Sequence, residues 1–72
     1  MWITERMSNG LVVEGKVYEE GSEFGIAGGR ISKLWIGGNG YSDLAAYERG
    51  WSTEPTTPAA AAAVAEFIAR HN

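Results

Sequence analysis

The stretch that sets the fold is RISKLWI, residues 30–36, in which side chains of different polarity alternate. A period of two is typical of a β-strand, because successive side chains point to opposite faces of a sheet. The two resulting sets of side chains are Ile31, Lys33 and Trp35 against Ser32, Leu34 and Ile36. Since both sets are partly apolar, we predict a central strand with one side against a helix and the other partly covered.

A hairpin is predicted before this strand, at Asn9-Gly10. This dipeptide readily adopts the positive φ values of a type I′ turn, which joins antiparallel strands tightly. A turn centred there pairs Arg6 with Val13 and Trp2 with Val17. The register predicts a core face and a solvent face; the first carries Trp2, Leu11, Val13 and Val17, and the second carries Glu5, Glu14 and Lys16, with Glu5 and Glu14 as cross-strand neighbours.

The remaining β region is divided by turn signals rich in glycine and charged residues. We predict a polar turn at residues 19–23, a short extended piece at 24–27, and tight turns at 28–29 and 37–40. A further strand is expected at 41–47.

The C-terminal part predicts one helix after a linker at residues 50–57. Thr57 is a suitable N-cap and Pro58 suits the first helical position, while the alanine run that follows has high helix propensity. One face of the helix, at helical spacing, carries Ala60, Val64, Phe67, Ile68 and His71. The expected fold is α+β: a meander of short antiparallel strands within about residues 2–49, and a C-terminal helix over about 58–70 packed on the sheet.

Size and composition limit the function classes. The 72 residues are expected to form a single domain, residues 1–72, and they carry a net charge of −3. Because there is no cysteine, disulfides and thiolate metal sites are excluded. The one histidine, His71, lies beside a C-terminus that we expect to fray, so neither a metal site nor a cofactor is predicted.

Catalytic patterns are weak. The glycines at residues 25–29 resemble a phosphate-binding loop, but such loops open directly into a helix and this one leads into a strand. Nucleophilic catalysis needs a hydroxyl or thiol with an adjacent base, and the only imidazole is terminal. Paired carboxylates need a pocket that shifts their pKa, for which a sheet of this size has little room. We therefore predict no catalytic residues and no enzyme activity.

Acidic side chains form the first candidate binding site. A surface of this sign would complement a basic, nucleic-acid-binding cleft on another protein, where carboxylates take the place of phosphates, and the attraction would speed association. The alternative interpretation is a solubilising surface that protects strand edges. The predicted partner-binding residues are Glu14, Glu19, Glu20, Glu23, Glu48 and Glu54.

Cationic and aromatic side chains form an alternative, ligand-binding set. Guanidinium groups bind phosphates in a bidentate manner and aromatic rings stack on bases, so such a set around one groove could hold a nucleotide. The competing interpretation is that the arginines pair with glutamates and the tryptophans lie in the core. The residues of this set are Arg30, Lys33, Trp35, Tyr41, Arg49 and Trp51.

Two blocks carry a family resemblance, G-I-x-G-G-R-I-S-K-L beginning at Gly25 and Y-x-R-G-W beginning at Tyr47. Over roughly residues 10–55 the chain resembles a family of very small proteins of uncharacterised function that phages, prophages and other mobile elements carry. In size, acidity and lack of cofactor signatures it also resembles anti-CRISPR proteins. This resemblance implies a non-enzymatic inhibitor that binds a host defence complex, with a type I CRISPR surveillance complex as the preferred target. The alternatives are a sponge that sequesters a nucleotide immune signal, and a housekeeping regulatory module of the mobile element with no defence role.

Partner and location follow from charge and hydropathy. An acidic chain is not expected to bind nucleic acid directly, because that mode needs a basic patch. No apolar run is long enough for a membrane span, and the N-terminus lacks the order of a signal peptide. We expect a monomer or small homo-oligomer in the cytosol of the bacterial host.

Overall fold

Five strands and one helix build the protein. The computed structural model describes residues 1–37 and 44–72. The elements in chain order are β1 (Trp2–Arg6), β2 (Val12–Val17), a 3₁₀ turn (Ile26–Gly28), β3 (Ile31–Gly37), β4 (Ala45–Glu48), β5 (Trp51–Thr53) and α1 (Pro58–His71). Every strand is antiparallel to its neighbour, in the order β1-β2-β3-β4-β5, and α1 packs against β2 and β3. The predicted α+β meander with a C-terminal helix is confirmed.

The first hairpin exists, but its predicted register is wrong by one residue. The Gly10 N–H donates to the Met7 carbonyl at 2.9 Å, so the turn is centred on Ser8 and Asn9. Gly10 has a φ of +91°, whereas Asn9 does not have a positive φ. A three-residue loop that ends in a left-handed glycine is a common alternative to the two-residue type I′ turn. Met7 consequently pairs with Leu11 and is itself buried.

A shift of one residue moves side chains to the other face of the sheet. Trp2 lies opposite Lys16 instead of Val17, and it is 50% exposed on the face away from α1. Glu5 lies opposite Val13, and Glu14 lies opposite Thr4. The predictions that Trp2 belongs to the core and that the two carboxylates are cross-strand neighbours are therefore wrong.

Strand β3 is central and largely follows the predicted alternation. Leu34 and Ile36 are completely buried on the side of α1, while Lys33 and Trp35 lie on the other side and are partly exposed. Ile31 departs from the prediction and is also completely buried. The cause is a β-bulge at Lys16/Val17, where the pairing changes from Lys16–Lys33 to Val17–Ile31 and the side-chain alternation is interrupted.

The segment predicted as a linker contains a strand. Strand β5 spans Trp51–Thr53 and pairs with β4, and the turn between them has Arg49 at a φ of +59°. Trp51 packs edge-on against Tyr47, with 5.0 Å between ring centroids. The predicted strand at 41–47 is represented by β4; its residues 41–43, and residues 38–40 of the predicted turn, lie outside the described residues.

Helix α1 begins where the sequence predicts. Thr57 is the N-cap, and its Oγ1 accepts a hydrogen bond from the Ala60 N–H at 3.1 Å. The buried side chains of the helix are Ala60, Ala63, Val64 and Phe67, with Ile68 partly buried against the same core.

The C-terminus is anchored, so the prediction that it frays is wrong. Asn72 Oδ1 accepts from the Ile31 N–H at 3.1 Å, and Asn72 Nδ2 donates to the Ile26 carbonyl at 3.0 Å. Arg30 donates through Nε and Nη2 to the His71 carbonyl at 3.1 and 2.8 Å. These bonds fasten the end of α1 to residues 26–31. Within the piece predicted as extended, residues 24–27, the chain instead enters the 3₁₀ turn Ile26–Gly28.

Candidate protein-binding surface

Helix α1 covers one face of the sheet, and no other element of residues 1–37 and 44–72 covers the opposite face. The uncovered surface, here called the open face, carries Trp2, Thr4, Arg6, Val12, Glu14, Lys16, Lys33, Trp35 and Glu48, as the strand register requires. Antiparallel sheets with one solvated face usually place polar side chains there. Two tryptophans on this face are therefore the feature that needs a functional explanation.

Trp2 and Trp35 form a stacked pair on the open face. Their ring centroids are 5.5 Å apart and their planes differ by 15°. The contact spans β2, because Trp2 lies in β1 opposite Lys16 and Trp35 lies in β3 opposite Glu14, so the two rings meet above the intervening strand. Stacking fixes the orientation of both rings although half of the Trp2 side chain faces solvent.

Lys16 joins this pair to a third aromatic ring. Its Nζ lies 5.8 Å from the Trp2 ring centroid and 5.3 Å from that of Tyr18, within the range of cation–π attraction. A hydrogen bond with Lys16, reinforced by the charge of the ammonium group, lowers the pKa of the Tyr18 phenol from its usual 10.0. Trp2, Trp35, Tyr18 and Lys16 thus form one contact group, of which Tyr18 is 47% exposed.

The six predicted acidic residues do not form one surface. Glu19, Glu20 and Glu23, here called the acidic loop, are exposed between β2 and the 3₁₀ turn, and none has an ion-pair partner within the described parts of the chain. Glu48 lies on the open face and pairs with Lys33 at 3.5 Å. Glu14 accepts a hydrogen bond from Thr4 Oγ1 at 3.2 Å.

Glu54 is separated from the others. The acidic loop lies at the end of the sheet where β4 finishes and β5 begins. Because β5 runs antiparallel to β4, Glu54, which follows the last residue of β5, lies at the opposite end of the sheet. The predicted acidic surface is therefore reduced to the acidic loop. On the open face, Glu48 is paired with Lys33 and Glu14 is hydrogen-bonded to Thr4.

The alternative ligand-binding set is divided between several places. Lys33 and Trp35 share the open face, but Trp51 packs on Tyr47 on the side of α1. Arg30 is bound to the His71 carbonyl, and the guanidinium carbon of Arg49 lies 5.4 Å from the Phe24 ring centroid. The expected pairing of Arg30 and Arg49 with glutamates is not seen in the described residues. Tyr41 lies outside the described residues.

Ionisable groups also meet where α1 ends beside β1. His71 Nε2 lies 2.7 Å from Glu5 Oε1, and the guanidinium of Arg70 lies 3.6 Å from the same oxygen. The hydrogen bond with His71 is the main cause that lowers the pKa of Glu5 below its ordinary value. Hydrogen bonds from Ser8, and then the charge of Arg70, lower the pKa of Glu66. These contacts tie α1 to the first hairpin.

A cavity of about 350 Å³ opens beside this cluster. Its lining combines apolar and ionisable side chains, namely Met1, Ile3, Val17, Tyr18, Glu19, Arg30 and His71. Arg30 in this lining already donates to the His71 carbonyl. In residues 1–37 and 44–72, no group of three or more potential ligands from His, Cys, Asp or Glu could hold a metal ion. Within the same residues, no helix is long and apolar enough to cross a membrane.

Comparison with known proteins places the chain in a family. The family described as "Domain of unknown function (DUF7678)" matches residues 1–72. The chain belongs to the DUF7678 family. No curated protein and no solved structure matches it. Family membership therefore covers the entire sequence, including both the open face and the acidic loop.

Sequence reasoning missed Trp2 and Tyr18 as surface residues of this DUF7678 member, and it placed Lys16 on the solvent face without assigning it to a binding site. The prediction assigned Trp2 to the core because it assumed a two-residue turn at Asn9-Gly10. A three-residue loop is equally compatible with Asn9-Gly10, and it places Trp2 beside Lys16 and on the same face of the sheet as Trp35. The apolar Met7 just before the turn was the available signal, since the three-residue loop allows it to be buried.

Proposed function

We propose that this protein is a non-enzymatic inhibitor from a phage or other mobile element, which acts by binding a host defence complex. Its binding surface combines the open face with the acidic loop. The preferred target is a type I CRISPR surveillance complex, whose nucleic-acid-binding subunits offer basic clefts. This choice of target follows from the charge of the acidic loop and from the resemblance to anti-CRISPR proteins.

The observation that carries the proposal is the Trp2–Trp35 stack on the open face, in which Trp2 is half exposed and Trp35 partly buried. Binding energy at protein interfaces is concentrated in a few residues, among which tryptophan, tyrosine and arginine are enriched. Rings that are held rigidly before binding lose little conformational entropy when a partner covers them. Tyr18 is also exposed and shares the Lys16 ammonium with Trp2, so a partner that covers Lys16 can contact a third aromatic side chain.

Charge supports a basic partner. Glu19, Glu20 and Glu23 are exposed, and their carboxylates lack ion pairs in the described part of the chain, so they can be neutralised by a partner's cations. Complementary charge increases the association rate and selects the partner, and salt weakens it. The open face itself is mixed in charge, with Lys16 and Lys33 beside Glu14 and Glu48, so aromatic burial supplies affinity there.

The test is capture of the defence complex by matched variants. Glu19→Lys and Glu20→Lys each reverse one charge in the acidic loop, and Glu54→Lys makes the same change away from it. We expect the first two to weaken capture and phage protection in a CRISPR-immune host, and Glu54→Lys to retain both. Trp2→Ala should abolish capture while leaving the fold intact. Full protection by folded Trp2→Ala and Glu20→Lys variants would refute the proposal.

A nucleotide-binding function is the second candidate, and one observation favours it. Lys16 and Lys33 lie directly opposite each other, beside the two stacked tryptophans. Aromatic rings next to ammonium groups can stack on a base and neutralise a phosphate. Calorimetry with cyclic dinucleotides and ADP-ribose derivatives would then detect binding that Trp2→Ala abolishes and Arg49→Ala retains. If no ligand of this panel gives a binding heat and the protein captures a defence complex, the inhibitor function is supported and the nucleotide-binding function is contradicted.

A further inference from the structure

Strand β1 has a free backbone edge. Its inner edge pairs with β2 through alternate residues: the Met1 and Val17 backbones exchange two hydrogen bonds at 2.8 Å, and the Met7 N–H donates to the Leu11 carbonyl at 2.8 Å. The β1 residues that hydrogen-bond to β2 are therefore the odd-numbered ones. Because inward and outward residues alternate along a strand of an antiparallel ladder, the backbone groups of Trp2, Thr4 and Arg6 point outward. Among the described residues, no hydrogen bond uses these outward groups.

The opposite edge of the sheet, formed by β5, has fewer backbone groups available for pairing with another strand. Strand β5 has three residues, and Pro55 follows it closely. Short edge strands and nearby prolines are devices that prevent pairing between sheets, because they shorten or interrupt the row of free donors and acceptors. Strand β1 has five residues and no proline. The two edges are thus unequal, and β1 is the one suited to an additional strand.

We propose that β1 pairs antiparallel with β1 of a second copy of this chain, which joins two five-stranded sheets into one. A two-fold axis at Thr4 places Trp2 opposite Arg6 of the second copy and Thr4 opposite its own equivalent. In this register all outward groups of β1 meet outward groups of the partner strand, so each facing pair exchanges both hydrogen bonds. A shift by two residues in either direction leaves some of these groups unpaired.

Side chains fit the same register. Trp2 and Arg6 lie on the open face and are exposed, so the guanidinium of one copy can approach the free side of the other copy's indole. Cation–π contacts of this kind, and threonine–threonine pairs, are both favourable across neighbouring strands. On the side of α1, Ile3 meets Glu5 of the second copy, whose carboxylate keeps its own partners, His71 and Arg70.

The pairing would also align two open faces on one side of a continuous sheet. The two Trp2–Trp35 stacks would then lie on either side of the two-fold axis. This inference does not rest on the proposed function, because the oligomeric state is measured on the isolated protein without any partner.

The experiment is sedimentation velocity on the full chain, combined with amide hydrogen exchange by NMR. We expect a species of twice the chain mass at high micromolar concentration. In that species the Trp2, Thr4 and Arg6 amides should exchange slowly, and dilution should release them while the Ile3 and Glu5 amides stay protected. A monomer up to millimolar concentration, or a dimer with these three amides unprotected, would overturn the proposal.

Two variants and a control complete the test. Thr4→Pro removes an outward N–H at the axis without removing a bond to β2, since proline is tolerated at such edge positions. Arg6→Glu replaces the cation that faces Trp2. Both variants should sediment as monomers, and Arg49→Glu, an equal charge reversal away from β1, should remain dimeric. If Thr4→Pro does not fold, Arg6→Glu alone tests the pairing. The pairing is refuted if Arg6→Glu forms a dimer as stable as that of the wild type while the amides of residues 2, 4 and 6 exchange rapidly.

Discussion

Phe67 lies directly over Gly15, and the two residues hold α1 against the sheet. A β-carbon at Gly15 would come within 2.8 Å of Phe67 Cε1 and 2.9 Å of Cζ. Phe67 is completely buried, so its ring has no open space into which to move. The absence of a side chain at Gly15 therefore creates the space for the aromatic ring that closes the core.

Gly15→Ala should destabilise the protein by roughly 1–3 kcal/mol, because the added methyl group overpacks the contact with Phe67. Gly50→Ala is the matched control, since a β-carbon there meets nothing within 4 Å. Phe67→Ala should cost about 3 kcal/mol or more through the cavity that it leaves. Chemical denaturation of the single and double variants measures the coupling, and strictly additive losses would contradict the contact.

Gly10→Ala isolates the effect of backbone conformation in the first hairpin. Nothing lies within 4 Å of a β-carbon at Gly10, so only its φ of +91° opposes the substitution. We expect a loss of roughly 1 kcal/mol, since L-residues are strained in this region. A thermal melt equal to that of the wild type would show that the loop does not require a left-handed residue at this position.

Asn72→Ala should release the end of α1 from residues 26–31. The variant loses one hydrogen bond from the Ile31 N–H and one to the Ile26 carbonyl. Each such bond contributes about 0.5–1.5 kcal/mol, so we expect a loss of about 1–2 kcal/mol in denaturant unfolding. Faster exchange of the Ile31 amide should accompany it, and an Ile31 amide that stays equally protected would contradict the assignment.

Acid should weaken the attachment of α1 to β1. The His71 hydrogen bond lowers the pKa of Glu5 below its ordinary 4.5, so the ionised carboxylate stabilises the folded state above pH 4.5. This contribution is lost as the pH falls through the lowered pKa, because the folded protein must then take up the proton. Glu5→Gln should flatten the fall in stability below pH 4.5. Identical acid profiles for wild type and Glu5→Gln would contradict this.

Local patterns predicted much of the fold but only part of the candidate surface. The Thr57 cap, Pro58 and the alanine run act within one turn of the helix, so the start of α1 was predictable. The acidic loop was predictable for the same reason, because adjacent glutamates in a turn are exposed whatever the rest of the chain does. Strand β5 was not predictable, since three residues carry too little periodicity to distinguish a strand from a linker.

The position of Trp2 shows where local reasoning ends. Asn9-Gly10 suits a two-residue turn and a three-residue loop equally well, and the two alternatives place Trp2 on opposite faces. No feature within residues 2–17 distinguishes the two-residue turn from the three-residue loop as clearly as packing against the rest of the chain does. Both alternatives leave Val13, Gly15 and Val17 on the side of α1, so they differ in the face of β1 that meets the core. The observed register buries Met7 in the core and places Trp2 on the open face.

By itself, the sequence determined the α+β class, the central strand, the first hairpin and the limits of the helix, because these depend on alternation, turn chemistry and capping between near neighbours. Tertiary structure alone decided the hairpin register, the exposure of the Trp2–Trp35 stack, the anchored C-terminus and the dispersal of the predicted ligand-binding residues. Each of these depends on which side chains meet α1 across the core. Burial energy is shared among residues far apart in the chain, so it selects between local conformations that turn and strand propensities leave nearly equal.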